Sequence, residues 1–199
     1  MVPDLTCLAK VLAGGMPGGA VAGRAEIMAL FDITGEAHHD RHQRVVHLGT
    51  FNAAPLSAAA GIATLRQIAT GEPVAQANAM AERLRTGWNA ILEDLGIAGY
   101  AYGPCSTFHV YFETDPQHLA RASDRSDLYT GDAGRLKGMP GDLILEYQRL
   151  LRTHGVDIMS LTGGVVSAAH TPEDIDQACE AFDLAMRELR EQRLVATLS

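Results

Sequence analysis

Lys10 ends a short apolar run, Leu5-Thr6-Cys7-Leu8-Ala9, and a glycine-rich turn follows almost at once: Gly14-Gly15-Met16-Pro17-Gly18-Gly19. An amine held in apolar surroundings loses hydration, gives up its proton more readily and becomes free to attack a carbonyl carbon. A second group of residues, Gly49-Thr50-Phe51-Asn52-Ala53-Ala54-Pro55-Leu56, sets a hydroxyl and several backbone amides just ahead of an alanine-rich stretch. Donors placed before a helix start suit an anion. Glycines 14, 15, 18 and 19 fit neither a Walker loop nor a dinucleotide fingerprint, so backbone freedom and close approach beside the lysine are their expected role.

Four histidines (His38, His39, His42, His47) lie near Asp40, but their spacing matches no closed zinc pattern and no cysteine is close in sequence. We expect a polar loop there and no metal. Ser167-Ala168-Ala169-His170-Thr171-Pro172-Glu173-Asp174-Ile175-Asp176 reads as a strand turning into a capped helix, with His170 as a satisfied turn residue and not a base.

The elements that must position these groups follow from periodicity and punctuation. Residues 1–30 read as an extended entry, a glycine turn at 14–19, a small-residue stretch at Ala20–Gly23 and a short helix from Ala25. Residues 31–47 read as loop. Helices are expected at 54–69 and from Pro73, where Ala77, Met80, Leu84, Trp88, Ile91 and Leu95 recur at helical steps and Gly96 caps the end. Residues 106–113 and 165–169 read as strands, 142–153 and the segment after Thr171 as helices, and 114–139 as a surface excursion. The pattern is α/β or α+β. We place a domain boundary near residue 75, giving domains 1–75 and 76–199.

Composition narrows the function classes. A net charge of −8 without a basic patch argues against a nucleic-acid partner. Lys10, Arg24 and Glu26 interrupt the apolar opening, so no membrane partner is expected. Three widely spaced cysteines, Cys7, Cys105 and Cys179, together with no basic-then-apolar leader, suit a reduced, cytoplasmic protein.

The chain resembles class III pyridoxal-phosphate (PLP) aminotransferases, nearest to the branch of glutamate-1-semialdehyde aminomutase. Asp4-Leu5-Thr6, Lys10, the Gly-Gly-x-Pro-x-Gly turn, Gly23-Arg24 and Ile27-Met28 carry the likeness, with Gly49-Thr50 to Pro55-Leu56 and Ser167 to Asp176 extending it. The resemblance implies the fold type I of PLP-dependent transferases. Here that would be the C-terminal part of the large domain (1–75) and an α+β small domain (76–199). It implies a Schiff base between Lys10 and pyridoxal 5'-phosphate, with the freed amine shuttling the proton between the substrate α-carbon and C4′. Gly49 and Thr50 would bind the cofactor, Thr50 reaching the phosphate of the neighbouring subunit in a homodimer. The partners implied are a small-molecule amino donor and a carbonyl acceptor.

Two alternatives stay open: an aminomutase that moves the amino group within one substrate, and a non-catalytic interaction module. Thr162 stands where the aminomutase has an acid, which favours another specificity. The family's ring-stacking aromatic and ring-nitrogen aspartate find no counterpart here, since Asp4 belongs to the lysine motif. The likeness reaches only the second half of the family's sequence. We therefore expect a fragment, or a start placed too late, that is inactive alone, with the apolar faces of 5–30 and 54–69 open.

Overall fold

The computed structural model describes residues 2–121, 128, 132–159 and 161–198. They fall into two units, Met1–Gly71 and Glu72–Ser199, dividing just ahead of a long helix.

In the first unit, β1 (Leu5–Leu8) and β2 (Ala20–Gly23) pair antiparallel, Leu5 opposite Gly23 and Leu8 opposite Ala20. The small-residue stretch is therefore a strand. The open end of this hairpin is braced where Arg24 donates to the Asp4 carboxylate at 3.1 Å and, through its amide, to the Asp4 carbonyl at 3.0 Å. Two motif segments twenty residues apart thus meet. Between the strands runs a 3-10 turn, Lys10–Ala13. Three helices follow: α1 (Ala25–Met28), α2 (Ala37–His42) and α3 (Pro55–Ile68).

The helix α2 replaces part of the loop expected at 31–47. Its cause is local hydrogen bonding that hydrophobic periodicity does not reveal. Glu36 caps it, accepting from the amides of His38 (2.9 Å) and His39 (2.6 Å), while Asp40 accepts from the amides of Thr34 (3.0 Å) and Gly35 (2.9 Å).

The second unit holds α4 (Glu72–Asp94), β3 (Gly99–Tyr102), β4 (Thr107–Phe112), α5 (Pro116–Leu119), α6 (Ala133–Lys137), α7 (Gly141–Thr153), β5 (Gly163–Val165) and α8 (Pro172–Glu191). The sheet is antiparallel in the order β3-β4-β5. Helix α4 buries Ala77, Ala81, Leu84, Trp88 and Leu92 at helical spacing, whereas Met80 and Ile91 sit at the edge of that core. The Trp88 ring stacks on Phe182 of α8 at 4.3 Å and meets Phe108 of β4 edge-on at 5.2 Å. Each such side chain contributes about 1.5–3 kcal/mol by leaving water. Helix α8 begins with a reciprocal capping box: Thr171 Oγ1 accepts from the Asp174 amide, and Asp174 accepts from the Thr171 amide at 2.8 Å.

Three expectations need correction in this unit. Strand β3 was hidden because Gly99, Tyr100, Ala101 and Tyr102 are too few to show alternation; the Asn89 side chain holds Ala101 by donating to its carbonyl (2.8 Å) and accepting from its amide (2.9 Å). The strand expected at 165–169 lies earlier, at Gly163–Val165, and Val166 leaves it through a bond from its amide to the Ser106 carbonyl. The 114–139 excursion contains α5 and α6; residues 122–127 and 129–131 fall outside the described residues.

Candidate active site

Lys10 stands at the step from β1 into the 3-10 turn with φ +61°, a left-handed backbone that a side-chain-bearing residue rarely adopts. Such strain persists only where surrounding contacts enforce it. The 3-10 turn that Lys10 opens packs on α3. A Cβ at Gly14 (φ +61°) would lie 2.6 Å from Thr64 Oγ1 and 2.8 Å from the Ala60 carbonyl. One at Gly61 would lie 2.9 Å from the Leu12 carbonyl. Glycine on both partners lets backbone meet backbone, and Ala13 is buried in the joint. The expected loss of hydration at Lys10 is not seen: its side chain is exposed, and no described element covers it. Among the described residues it has no ion pair or side-chain hydrogen bond.

Gly49 and Thr50 lie in successive turns that lead into α3. The Asn52 amide donates to the Gly49 carbonyl at 3.0 Å, and the Ala54 amide to the Phe51 carbonyl at 3.2 Å. Asn52 folds over Gly49 so closely that a Cβ there would meet Asn52 Oδ1 at 2.8 Å. Thr50 is exposed, and its hydroxyl has no partner among the described residues. A cavity of about 750 Å³ opens at the N-terminus of α3, between the 3-10 turn (Leu12, Ala13) and the 47–54 segment, with Ser57 on its wall. The side chains of Lys10 and Thr50 do not line it. The first turn of α3 has no side-chain cap, so its amides are open to an anion.

The histidine segment is a capping network. Asp40 is held down to about 2, chiefly by the Thr34 amide and then by the His39 imidazole. His38 and His42 lie ring against ring at 5.1 Å on one face of α2. Among the described residues there is no group of three or more side chains that could hold a metal. His170 is satisfied within its turn, its Nδ1 accepting from the Ser167 amide at 3.0 Å. Thr162 is buried, and its carbonyl accepts from the Val110 amide.

Sequence reasoning missed Glu113, which is 1% exposed and follows directly on β4. Its carboxylate accepts from the Tyr111 hydroxyl (3.0 Å) and the amides of Thr114 (2.9 Å) and Asp115 (2.8 Å), and it pairs with His118 (2.6 Å) and Arg135. Burial pushes this carboxyl up, but the Asp115 amide, His118, Tyr111 and Arg135 together hold it below its ordinary value. Tyr111 is pushed up to about 12 by burial and by the neighbouring carboxylate. An acid closing the apolar run Val110-Tyr111-Phe112 was the available signal.

Comparison with known proteins gives this geometry a family. The fold is that of PLP-dependent transaminases. It matches an ω-transaminase from Sphaerobacter thermophilus with a TM-score of 0.76 at 28% identity, covering 94% of this chain and 39% of that one. It matches a β-phenylalanine aminotransferase from Variovorax paradoxus with a TM-score of 0.72 at 27% identity, covering 98% and 40%.

The aminotransferase class-III family model matches residues 1–98, just under half of the chain. The chain is 34% identical over 188 residues to a glutamate-1-semialdehyde 2,1-aminomutase from Methanopyrus kandleri, covering 94% of this chain and 39% of that protein. With the protein of the same name from Pyrobaculum arsenaticum it shares 31% over 194 residues, covering 94% and 40%. The chain thus spans about two-fifths of the length of the curated relatives it matches.

Proposed function

We propose that this chain is the lysine-bearing portion of a PLP-dependent aminotransferase, with residues 1–75 completing a cofactor-binding large domain and 76–199 forming the small domain. The observation that carries the reading is Lys10 itself: an exposed, unpartnered amine on a residue of left-handed backbone, at the head of the 3-10 turn that a glycine joint packs on α3, inside the family-matched region. When bound, pyridoxal phosphate supplies an electron sink for the pair left as a substrate Cα–H bond breaks. Lys10 Nζ would hold the cofactor, and the same amine would serve as the base that takes and returns the substrate Cα proton. Gly49 lets the Asn52 side chain fold in, and Thr50 Oγ1 donates to the phosphate of a neighbouring subunit in a homodimer. The substrates are a small amino donor and a carbonyl acceptor. The thiols of Cys7, Cys105 and Cys179 are free, which supports a reducing, cytoplasmic setting.

The names of the relatives favour a second reading, intramolecular amino transfer on a semialdehyde. Thr162, buried and neutral, speaks for intermolecular transfer instead. Borohydride trapping of the protein as the cell makes it, followed by peptide mapping, should place the label on Lys10. Lys10→Ala should abolish both label and turnover. Label on another residue overturns the assignment. Turnover that requires an added keto acid marks an aminotransferase; turnover without one marks an aminomutase.

A further inference from the structure

The turn that presents Lys10 is fastened through one residue, Leu12. Lys10 and Val11 form the middle of a four-residue turn, which the Leu12 amide closes by donating to the Ala9 carbonyl at 3.3 Å. The next bond follows at once, the Gly14 amide donating to the Val11 carbonyl at 2.9 Å. Leu12 is engaged at both ends: its N–H closes the turn around Lys10, and its carbonyl lies against Gly61 of α3.

Gly61 is buried on α3 and helical, with no positive φ to require glycine. In mid-helix a glycine costs stability relative to alanine, so close approach of another segment is what explains it. A Cβ at Gly61 would lie 2.9 Å from the Leu12 carbonyl oxygen, about half an ångström short of ordinary van der Waals contact, and 3.5 Å from Ala13 Cα. Both neighbours are backbone, so no side-chain rotation relieves the clash and the turn itself must shift. Ala13, buried in the same joint, is hemmed in from the other side, since a Cβ at Gly18 would come within 2.7 Å of its methyl.

We propose that Gly61 is a positioning residue for Lys10: by carrying no side chain it lets the Leu12 carbonyl close on α3, and Leu12 fixes the turn that aims the amine. The inference rests on Lys10 being the cofactor lysine. Misplacing a reacting group by about 1 Å costs on the order of a hundredfold, so a shift of about half that costs roughly tenfold.

The test uses the protein as the cell makes it, stripped of cofactor and given pyridoxal phosphate, with borohydride quenching at timed intervals and peptide mapping. Gly61→Ala should slow the labelling of Lys10 about tenfold and lower kcat about tenfold, with KM for the amino donor unchanged. Ala59→Gly, which weakens the same helix at an exposed position outside the joint, should change neither. Parent rates in Gly61→Ala, or an equal loss in Ala59→Gly, overturn the proposal and leave Lys10 as the labelled residue. Label on another residue in the parent overturns the reading of Lys10 instead. If Gly61→Ala does not fold, Ala13→Gly decides, because it loosens the joint by removing the buried methyl: slowed labelling supports the proposal and an unchanged rate overturns it.

Discussion

At the residue scale three groups stand in unusual states: Lys10 with a left-handed backbone, Glu113 as a buried carboxylate, Arg44 with an orphaned donor. Glu113 yields a pH prediction with a definite sign. Its carboxyl sits below its ordinary 4.5 in the folded protein. The stability it contributes is therefore fully present above pH 4.5 and is lost as pH falls below that value and through the folded pKa. Denaturant midpoints measured from pH 7 to 3 should fall more steeply in the parent than in Glu113→Gln. Parallel curves would show that the carboxylate is not the titrating group. At neutral pH, Glu113→Ala leaves Arg135 and His118 without their buried partner and should cost about 3–5 kcal/mol. Lys10 was legible as a candidate because its type and its glycine neighbours lie in one short run. Glu113 and Arg44 were not, since the donors that gather on the first come from residues 1 to 22 positions away, and the missing partner of the second is a fact about space alone.

At the element scale, two devices hold the segments. The α8 capping box satisfies donors at both ends of the Thr171–Asp174 step, so Thr171→Ala should lower unfolding stability by about 1 kcal/mol, read from chemical denaturation. An unchanged midpoint would mean that packing against α4 sets the helix start without help from the cap. The glycine joint between the 3-10 turn and α3 acts on the site instead. Gly61→Val would drive a side chain into the Leu12 carbonyl, and the strain at Lys10 would lose its support. Helices α3, α4, α7 and α8 were readable from apolar period and terminal residues, since those signals lie within each segment. Short β3 and α2 were not, because the side chains of Asn89 and Glu36 respectively secure them.

At the scale of the whole molecule the two units differ in what they bury. Among the described residues, the first unit has Ala13 as its one buried hydrophobic side chain, while Leu5, Leu8, Val21, Ile62 and Leu65 remain open. The second closes a full core around Trp88, Tyr147 and Phe182. Limited proteolysis followed by mass spectrometry should therefore cut within 1–71 and leave 72–199 protected. Equal survival of both units would mean that the first is stabilised by something other than its own core. What sequence alone supplied was the resemblance to a family, a candidate lysine, a turn suited to an anion and the long helices, because each is written in residue type and short-range spacing. Only the tertiary structure decided that Asp4 meets Arg24, that Gly14 and Gly61 let the 3-10 turn pack on α3, and that Glu113 gathers five donors. The reason is physical: which groups lose water and which find partners depends on distances between segments, and those exist only once the chain has folded.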